Sequence, residues 1–305
     1  VSTPSLVASS AARRRVAWRR IGVPYLYLLP FLVLFLAFRV FPLVYGLYIS
    51  VTNATLGDDA ARFVGAANYL RLPKDPRFVH SLLNTFQFTL EATLPVLGIP
   101  LLLAVLLNRK LPLRTFLRSA FYFPQTLSVV TLGLIWLWML DPLVGPVNYY
   151  LKQLGFSPPV WFGNPATAMW SIVITVIWGA GGYYMVIYLA GLQDIPRYLY
   201  EAAAIDGADG WRSFWTITLP LLRPIFLLVG VIHVIGAFQI FGQVLVLTGG
   251  GPADATRPIV QHIYDTGFQG EFAFGSAAAM SWVLFLIIVA FSVAQFYLQR
   301  GGSDL

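Results

Sequence analysis

Residues 273–297 read Ala-Phe-Gly-Ser-Ala-Ala-Ala-Met-Ser-Trp-Val-Leu-Phe-Leu-Ile-Ile-Val-Ala-Phe-Ser-Val-Ala-Gln-Phe-Tyr, with no charged side chain. A stretch of this length and composition has the ~20 residues needed to cross a ~30 Å hydrocarbon layer as a helix. Five further stretches share the pattern: 25–48, 78–107, 117–140, 166–190 and 222–247. The sequence thus predicts an all-α integral membrane protein with six transmembrane helices. Composition agrees: 58% of the 305 residues are hydrophobic and only 11% are charged. Soluble domains carry about 25% charged residues, and so few could not cover the surface of a soluble fold. Lipid is the implied surrounding.

The net charge of +7 raises nucleic acid as a partner. The basic run Arg13, Arg14, Arg15, Arg19 and Arg20 stands directly before the first span, where cations mark the cytoplasmic side. A topogenic role explains it, and no nucleic-acid partner is implied. With the N-terminus inside, thirteen Lys and Arg fall in internal segments and six in external ones, which predicts that both termini are cytoplasmic. The organisation expected is a cytoplasmic basic arm (1–24), a first helix (25–48), a core (78–297) with a long internal loop at 191–224, and a cytoplasmic tail (298–305). Segments 49–77, 142–165 and 248–272 read as external loops rich in Gly, Pro, Asn and Asp. Cysteine is absent, which excludes disulfides and thiolate chemistry. His80, His233 and His262 are dispersed, so no metal site is expected, and no motif implies a cofactor.

The internal loop is built unlike a passive connection. Residues 201–224 run Glu-Ala-Ala-Ala-Ile-Asp-Gly-Ala-Asp-Gly-Trp-Arg-Ser-Phe-Trp-Thr-Ile-Thr-Leu-Pro-Leu-Leu-Arg-Pro. Ala202, Ala203 and Ala204 make a slim helix that another protein can approach closely. Gly207 permits a sharp turn. Asp206 is placed to cap the helix that follows, and Pro220 and Pro224 restart the chain toward the next span.

This stretch resembles the EAA loop of permease subunits in binding-protein-dependent ABC importers: Glu-Ala-Ala, three residues, Gly, nine residues, then Ile-x-Leu-Pro. Gly207, Ile217, Leu219 and Pro220 all fall in register. Phe121–Pro124 with Ile135–Trp136, Trp161–Pro165 and Leu247–Pro252 resemble segments of the carbohydrate (maltose and glycerol-phosphate) branch, so the likeness spans about 25–297. The chain departs at Gly242 and Leu245, where that branch commonly carries Asp and Tyr.

The resemblance implies a type I ABC importer permease fold in a bacterial plasma membrane. It also implies a second homologous permease (as a heterodimer), two copies of a cytoplasmic ATPase subunit and an extracytoplasmic solute-binding protein. Glu201, Ala202, Ala203, Asp206, Gly207, Ala208, Leu219 and Pro220 would then form the ATPase-coupling surface. The lysines Lys74, Lys110 and Lys152 belong to no phosphate-binding loop, so no catalytic residue is expected here and ATP hydrolysis falls to the partner. By resemblance to the maltose-type site, Gln125, Gly181, Tyr184, Phe238 and Phe241 are substrate-path candidates. Trp178, Tyr183, Gln239 and Gln243 join them on chemistry, because aromatic faces and amides suit a sugar-like substrate at mid-membrane depth. Packing between helices is the alternative role for each of these aromatics. Glu91, an intramembrane carboxylate, is expected at the interface with the second permease. Arg39 is expected near the external end of its helix, snorkelling to the interface. Import of a peptide, amino acid or oxyanion on the same fold is the nearest rival. A secondary transporter would need inverted repeats or a coupling-ion site, and a membrane hydrolase would need motifs that are missing.

Overall fold

A computed structural model describes residues 25–57, 61–109, 111–270 and 272–300, the last three by backbone only. The basic arm, Lys110 and residues 301–305 of the tail lie outside the described residues. The helices are α1 (Tyr25–Ser50), α2 (Ala67–Arg71), α3 (Pro76–Asn108), α4 (Arg114–Tyr122), α5 (Val129–Met139), α6 (Pro146–Gln153) and α7 (Pro165–Asp194). There follow α8 (Arg197–Ile205), α9 (Gly210–Leu221), α10 (Arg223–Phe238), α11 (Gly242–Leu247), α12 (Ile259–Tyr264) and α13 (Phe274–Arg300). A single isolated bridge, Thr52 to Phe63, is the extended pairing seen among the described residues.

Among the described residues, four helices are long and apolar enough to span a membrane: α1, α3, α7 and α13. The third predicted span is a bent pair instead, and α10 of the fifth forms a second bent pair with α9, which lies in the predicted 191–224 loop. α4 and its following turn meet α5 at 103°, and α9 meets α10 at 64°. Counting each pair as one span gives six. The stretch 222–247 does not run through as one helix either, because it breaks at Gln239–Phe241 before α11. Segments 49–77, 142–165 and 248–272, expected as external loops, hold the helices α2, α6 and α12.

Local chemistry sets the helix ends. α3 starts at Pro76 with the Asp75 carboxylate accepting from Arg77 N at 2.9 Å. α7 starts at Pro165 with Asn164 Oδ1 accepting from Ala166 N at 3.0 Å. In both, a side-chain oxygen satisfies an orphan N–H and proline fills a position that needs no donor. At the far end of α3, Arg118 Nη2 donates to the Leu107 carbonyl at 2.7 Å, closing the helix with a cation. Pro95 and Pro100 lie inside α3 without ending it. Arg39, expected near one end of its helix, lies exposed in a π turn at Leu36–Val40, nearer the middle of α1 than either end.

α7 is the central helix. Over half of its apolar window is buried (56%), against none for α1. It packs along α3, whose small Ala92 and Ala104 are fully buried, as close helix contact in lipid requires. One apolar cluster joins Val96, Leu107, Tyr188, Met185, Leu222 and Val229 near the 191–224 loop. Another joins Phe88, Ile172, Val173, Ile240 and Val244 toward the opposite end. A third packs Phe238 and Ile259 against Met280 and Leu284 of α13. The exposed apolar side chains of α1, α3 and α13 point outward, as lipid-facing surfaces do.

Candidate substrate path and coupling surface

Two discontinuities in the spans lie side by side. After α4 the chain makes a tight turn at Phe123–Thr126, extends at Leu127, and re-enters a helix where Ser128 Oγ accepts from Thr131 N at 3.1 Å. The second break follows α10, where Phe241 leaves helical geometry before α11. They touch at their restart points: a Cβ on Gly242 would lie 3.0 Å from Val129 Cγ1. Gly133 of α5 faces Val246 of α11 in the same way. Interrupted helices leave backbone groups unpaired, which is tolerated at membrane depth where the chain is covered by protein or lines a wet cavity. Transporter binding sites are commonly built at such interruptions.

The glycines of α7 set how the bent α4–α5 pair crosses it. A Cβ on Gly182 would overlap the Phe121 carbonyl oxygen, and one on Gly179 would lie 2.7 Å from Leu132 Cδ1. At Gly181 no atom falls within 4 Å of such a Cβ, so this glycine borders open space.

The nine path candidates divide between the breaks and the core. Gln125 is exposed on the turn after α4, Gln239 is exposed at the end of α10, and Gln243 is half-buried on α11. Half-buried Phe241 packs its ring on Tyr264 at 5.3 Å. Trp178 lies edge-on to Trp136 at 5.7 Å. Tyr184 is buried, with its ring against Tyr183 at 5.4 Å and His233 at 6.2 Å. Phe238 is fully buried between Phe86 and Phe291. A groove of about 500 Å³ between α10, α12 and α13 includes Gln239 beside Ile235, Ser281, Leu284 and Ser292. Of the nine, Gln239 alone lines it. The helix breaks themselves were not anticipated. Their signals were Pro124 followed by the cap residue Ser128, and the glycines Gly236 and Gly242 flanking Gln239.

Glu91 is half-buried on α3. Its Oε1 accepts from Gln87 Nε2 at 2.9 Å, while Oε2 is buried without a partner among the described residues. Trp136 Nε1, Tyr188 Oη and His233 Nε2 share that condition, so the interior of the spans holds several unmatched polar atoms.

The 191–224 segment folds as two helices around a tight reversal. α8 ends in paired bonds, Gly207 N to the Ala204 carbonyl at 3.2 Å and Ala208 N to the Ala203 carbonyl at 2.8 Å. This closure needs a left-handed residue after the cap, and Gly207 supplies it at φ +79°. Asp206 therefore terminates α8 and does not cap the next helix. Asp209 does so, its Oδ1 accepting from Arg212 N at 2.7 Å, because its extended backbone (ψ 176°) aims the carboxylate at the first turn of α9. The helices are joined by Tyr200 Oη and Thr218 Oγ1 at 2.9 Å. Leu199, Phe214, Ile217 and Leu219 pack inward on the core near Leu222. Glu201, Ala202, Asp206, Gly207 and Pro220 are exposed, Ala203 and Ala208 are half-buried, and Ile205 projects with 87% of its surface free. A partner approaching this tip would meet small residues, one large apolar side chain and two carboxylates.

At the opposite end of the spans, Trp161 Nε1 donates to Asn148 Oδ1 at 2.7 Å, tying the turn before α7 to α6. The backbone N–H groups of Val144 and then Leu143 hold the Asp141 carboxyl below its usual pKa. Arg257 pairs with both Asp254 and Asp265, and Asn84 of α3 donates to the Asp254 and Arg257 carbonyls at 2.8 and 3.1 Å.

Comparison with known proteins agrees with this architecture. Residues 96–301 match the model of the binding-protein-dependent transport system inner membrane component family. The chain is 36% identical to the sn-glycerol-3-phosphate transport system permease protein UgpA of Brucella suis, over 90% of this chain and 93% of that protein. It is 33% identical to the arabinooligosaccharides transport system permease protein AraP of Bacillus subtilis, over 99% and 97% of the two chains. A chain of the bacterial alginate ABC transporter, solved in complex with an alginate pentasaccharide-bound periplasmic protein, superposes with a TM-score of 0.82. It is 23% identical and covers 93% of this chain and 96% of its own, a likeness of fold. With six apolar spans, two of them bent, and a family match over most of its length, the chain belongs to the binding-protein-dependent transport system inner membrane components and is a multi-pass membrane permease.

Proposed function

We propose that this permease forms half of the pore of an ATP-driven importer for a carbohydrate or a glycerol-phosphate-like compound. Its partners are a second, homologous permease, two copies of a cytoplasmic ATPase subunit and an external solute-binding protein. Both termini and the 191–224 loop are cytoplasmic. The observation that carries the reading is the α8–α9 reversal. It exposes a compact tip at Ala202–Gly207 while Leu199, Phe214 and Leu219 root it in the core shared with α3, α7 and α10. Movement of the tip is thereby transmitted to the helices that carry the two breaks. The substrate class rests on the names of the relatives, which include glycerol-phosphate and arabinooligosaccharide permeases.

Substrate passes beside the paired breaks, where Gln125, Gln239 and Gln243 offer amides and Phe241, Trp178 and Tyr183 offer ring faces. Tyr184 and Phe238 support this lining from behind. The experiment is reconstitution of the permease pair with its ATPase and binding protein in vesicles. ATP-dependent uptake of labelled sn-glycerol-3-phosphate, maltose and an arabinose oligomer is then compared. Uptake of one of these is expected; uptake confined to amino acids or peptides would contradict the substrate class.

A further inference from the structure

The second helix of the 191–224 segment carries an exposed aromatic face apart from the Glu201–Gly207 tip. Trp211 and Trp215 of α9 are 70% and 51% exposed, with Arg212 and Thr216 exposed beside them. Ser213 and Thr218 are buried, and Phe214 and Ile217 are half-buried in the core. The aromatic rings form one cluster, Trp211 on Trp215 at 5.6 Å and Phe214 on Trp215 at 5.4 Å. The cluster leaves two large indoles exposed, with the exposed Arg212 between them in sequence.

This face is continuous with the membrane-facing surface of the adjoining span. The π turn at Phe214–Thr218 adds one residue to its helical repeat, so the exposed series passes from Trp211 and Trp215 to Pro220 and Leu221. It runs on to exposed Leu228 inside α10. α9 and α10 meet at 64°, so with α10 along the membrane normal α9 would lie closer to the membrane plane than to that normal. Indoles are enriched at the membrane surface because the ring is apolar and its N–H is polar, and arginine reaches lipid phosphate from the same depth.

We infer that the Trp211–Trp215 face of α9 rests in the phospholipid headgroup layer, with Arg212 against lipid phosphate. α9 is then a fixed interfacial anchor, and the exposed tip at Ala202–Gly207 is the part free to engage another protein. This inference goes beyond the proposed import function and holds for either orientation in the membrane.

The chain has no cysteine, so single labels can be placed without background. Spin labels on Trp215→Cys and Leu221→Cys are measured in the assembled transporter and in the permease alone. Both are reconstituted in mixed phosphatidylcholine and phosphatidylglycerol vesicles, and Asp206→Cys serves as the reference. The expected result is a higher ratio of collisions with lipid-soluble oxygen to collisions with a water-soluble nickel chelate at 215 and 221 than at 206. That ratio should not change when the ATPase subunit is added. Free access of the chelate to position 215, or shielding of that position only on ATPase addition, would overturn the inference. If Trp215→Cys does not assemble, Leu221→Cys carries the same reading. Loss of quenching by brominated lipid on Trp211→Phe then supplies the second measurement.

Discussion

The α-carbon of Gly182 lies against the carbonyl of Phe121, so closely that a methyl group on the glycine would overlap the oxygen. This contact joins the central helix α7 to the last turn of α4, just before the first break in the spans. The crossing is therefore held backbone to backbone, and its geometry fixes where Gln125 and Ser128 emerge.

Gly182→Ala should destabilise the permease by about 1–3 kcal/mol, the range for forcing an extra methyl into close packing. Gly181→Ala, one residue earlier, meets no atom within 4 Å and should leave stability nearly unchanged. Thermal unfolding of the two purified variants separates these outcomes. Equal midpoints would show that α4 and α7 are not in backbone contact.

The loop contains two aspartates whose roles the structure separates. Asp209→Ala removes the cap of α9 and should cost about 0.5–2 kcal/mol of local stability. Hydrogen exchange at the Arg212 amide, which Asp209 holds at 2.7 Å, should accelerate. Asp206→Ala should leave that amide protected. Faster exchange in Asp206→Ala alone would reverse the assignment.

At the breaks, Gln239→Ala removes an exposed amide at modest structural cost. A lost hydrogen bond of about 0.5–1.5 kcal/mol corresponds to a roughly two- to tenfold weaker apparent affinity. Uptake against substrate concentration should show it, with ATPase activity unchanged. Tyr184 is buried, so Tyr184→Ala should lower stability first, and Tyr184→Phe is the informative variant. Transport by Gln239→Ala at wild-type affinity across several sugars would place the site elsewhere.

Sidedness can be read by labelling. Ser157 and Ala253 are exposed on the segments proposed as external, and Ser157→Cys and Ala253→Cys should react with an impermeant thiol reagent in cells whose outer barrier has been removed. Arg197→Cys is the counterpart on the 191–224 segment, because Ser213 is buried and Thr216 lies on the face assigned to the headgroup layer. Reaction of Arg197→Cys without permeabilisation would invert the topology.

The spans were legible in the sequence because lipid imposes a simple requirement: about twenty apolar residues in a row. The loop was legible because its residues are fixed by local geometry. Gly207 must take a left-handed backbone; Leu219, by contrast, was expected on the coupling surface and instead packs against the core, while Pro220 stays outside. The breaks were hidden for the opposite reason. Residues 117–140 and 222–247 are predominantly apolar, and hydropathy does not report whether a helix bends within them. What bends them is tertiary: Val129 against Gly242, Leu132 against Gly179, and Phe121 over Gly182. The cap at Asp209 was missed because two aspartates stand three residues apart, and only backbone geometry decides which one faces a helix start. Phe238 and Tyr184 read as path residues, yet their side chains are buried. A chain's periodicity could not separate a lining aromatic from one packed just behind it.

The central claim is that the tip at Glu201–Gly207 couples an ATPase to movement of the spans. The direct measurement is ATP-dependent uptake by the reconstituted transporter carrying Glu201→Lys and Gly207→Trp together, with ATPase co-purification recorded in parallel. Tryptophan at φ +79° strains the reversal by about 1–2 kcal/mol, and lysine reverses the charge beside it. Loss of uptake is expected, with the ATPase either released or hydrolysing ATP without transport, while the solute-binding protein still captures substrate. Uptake at the wild-type rate with normal assembly would contradict it.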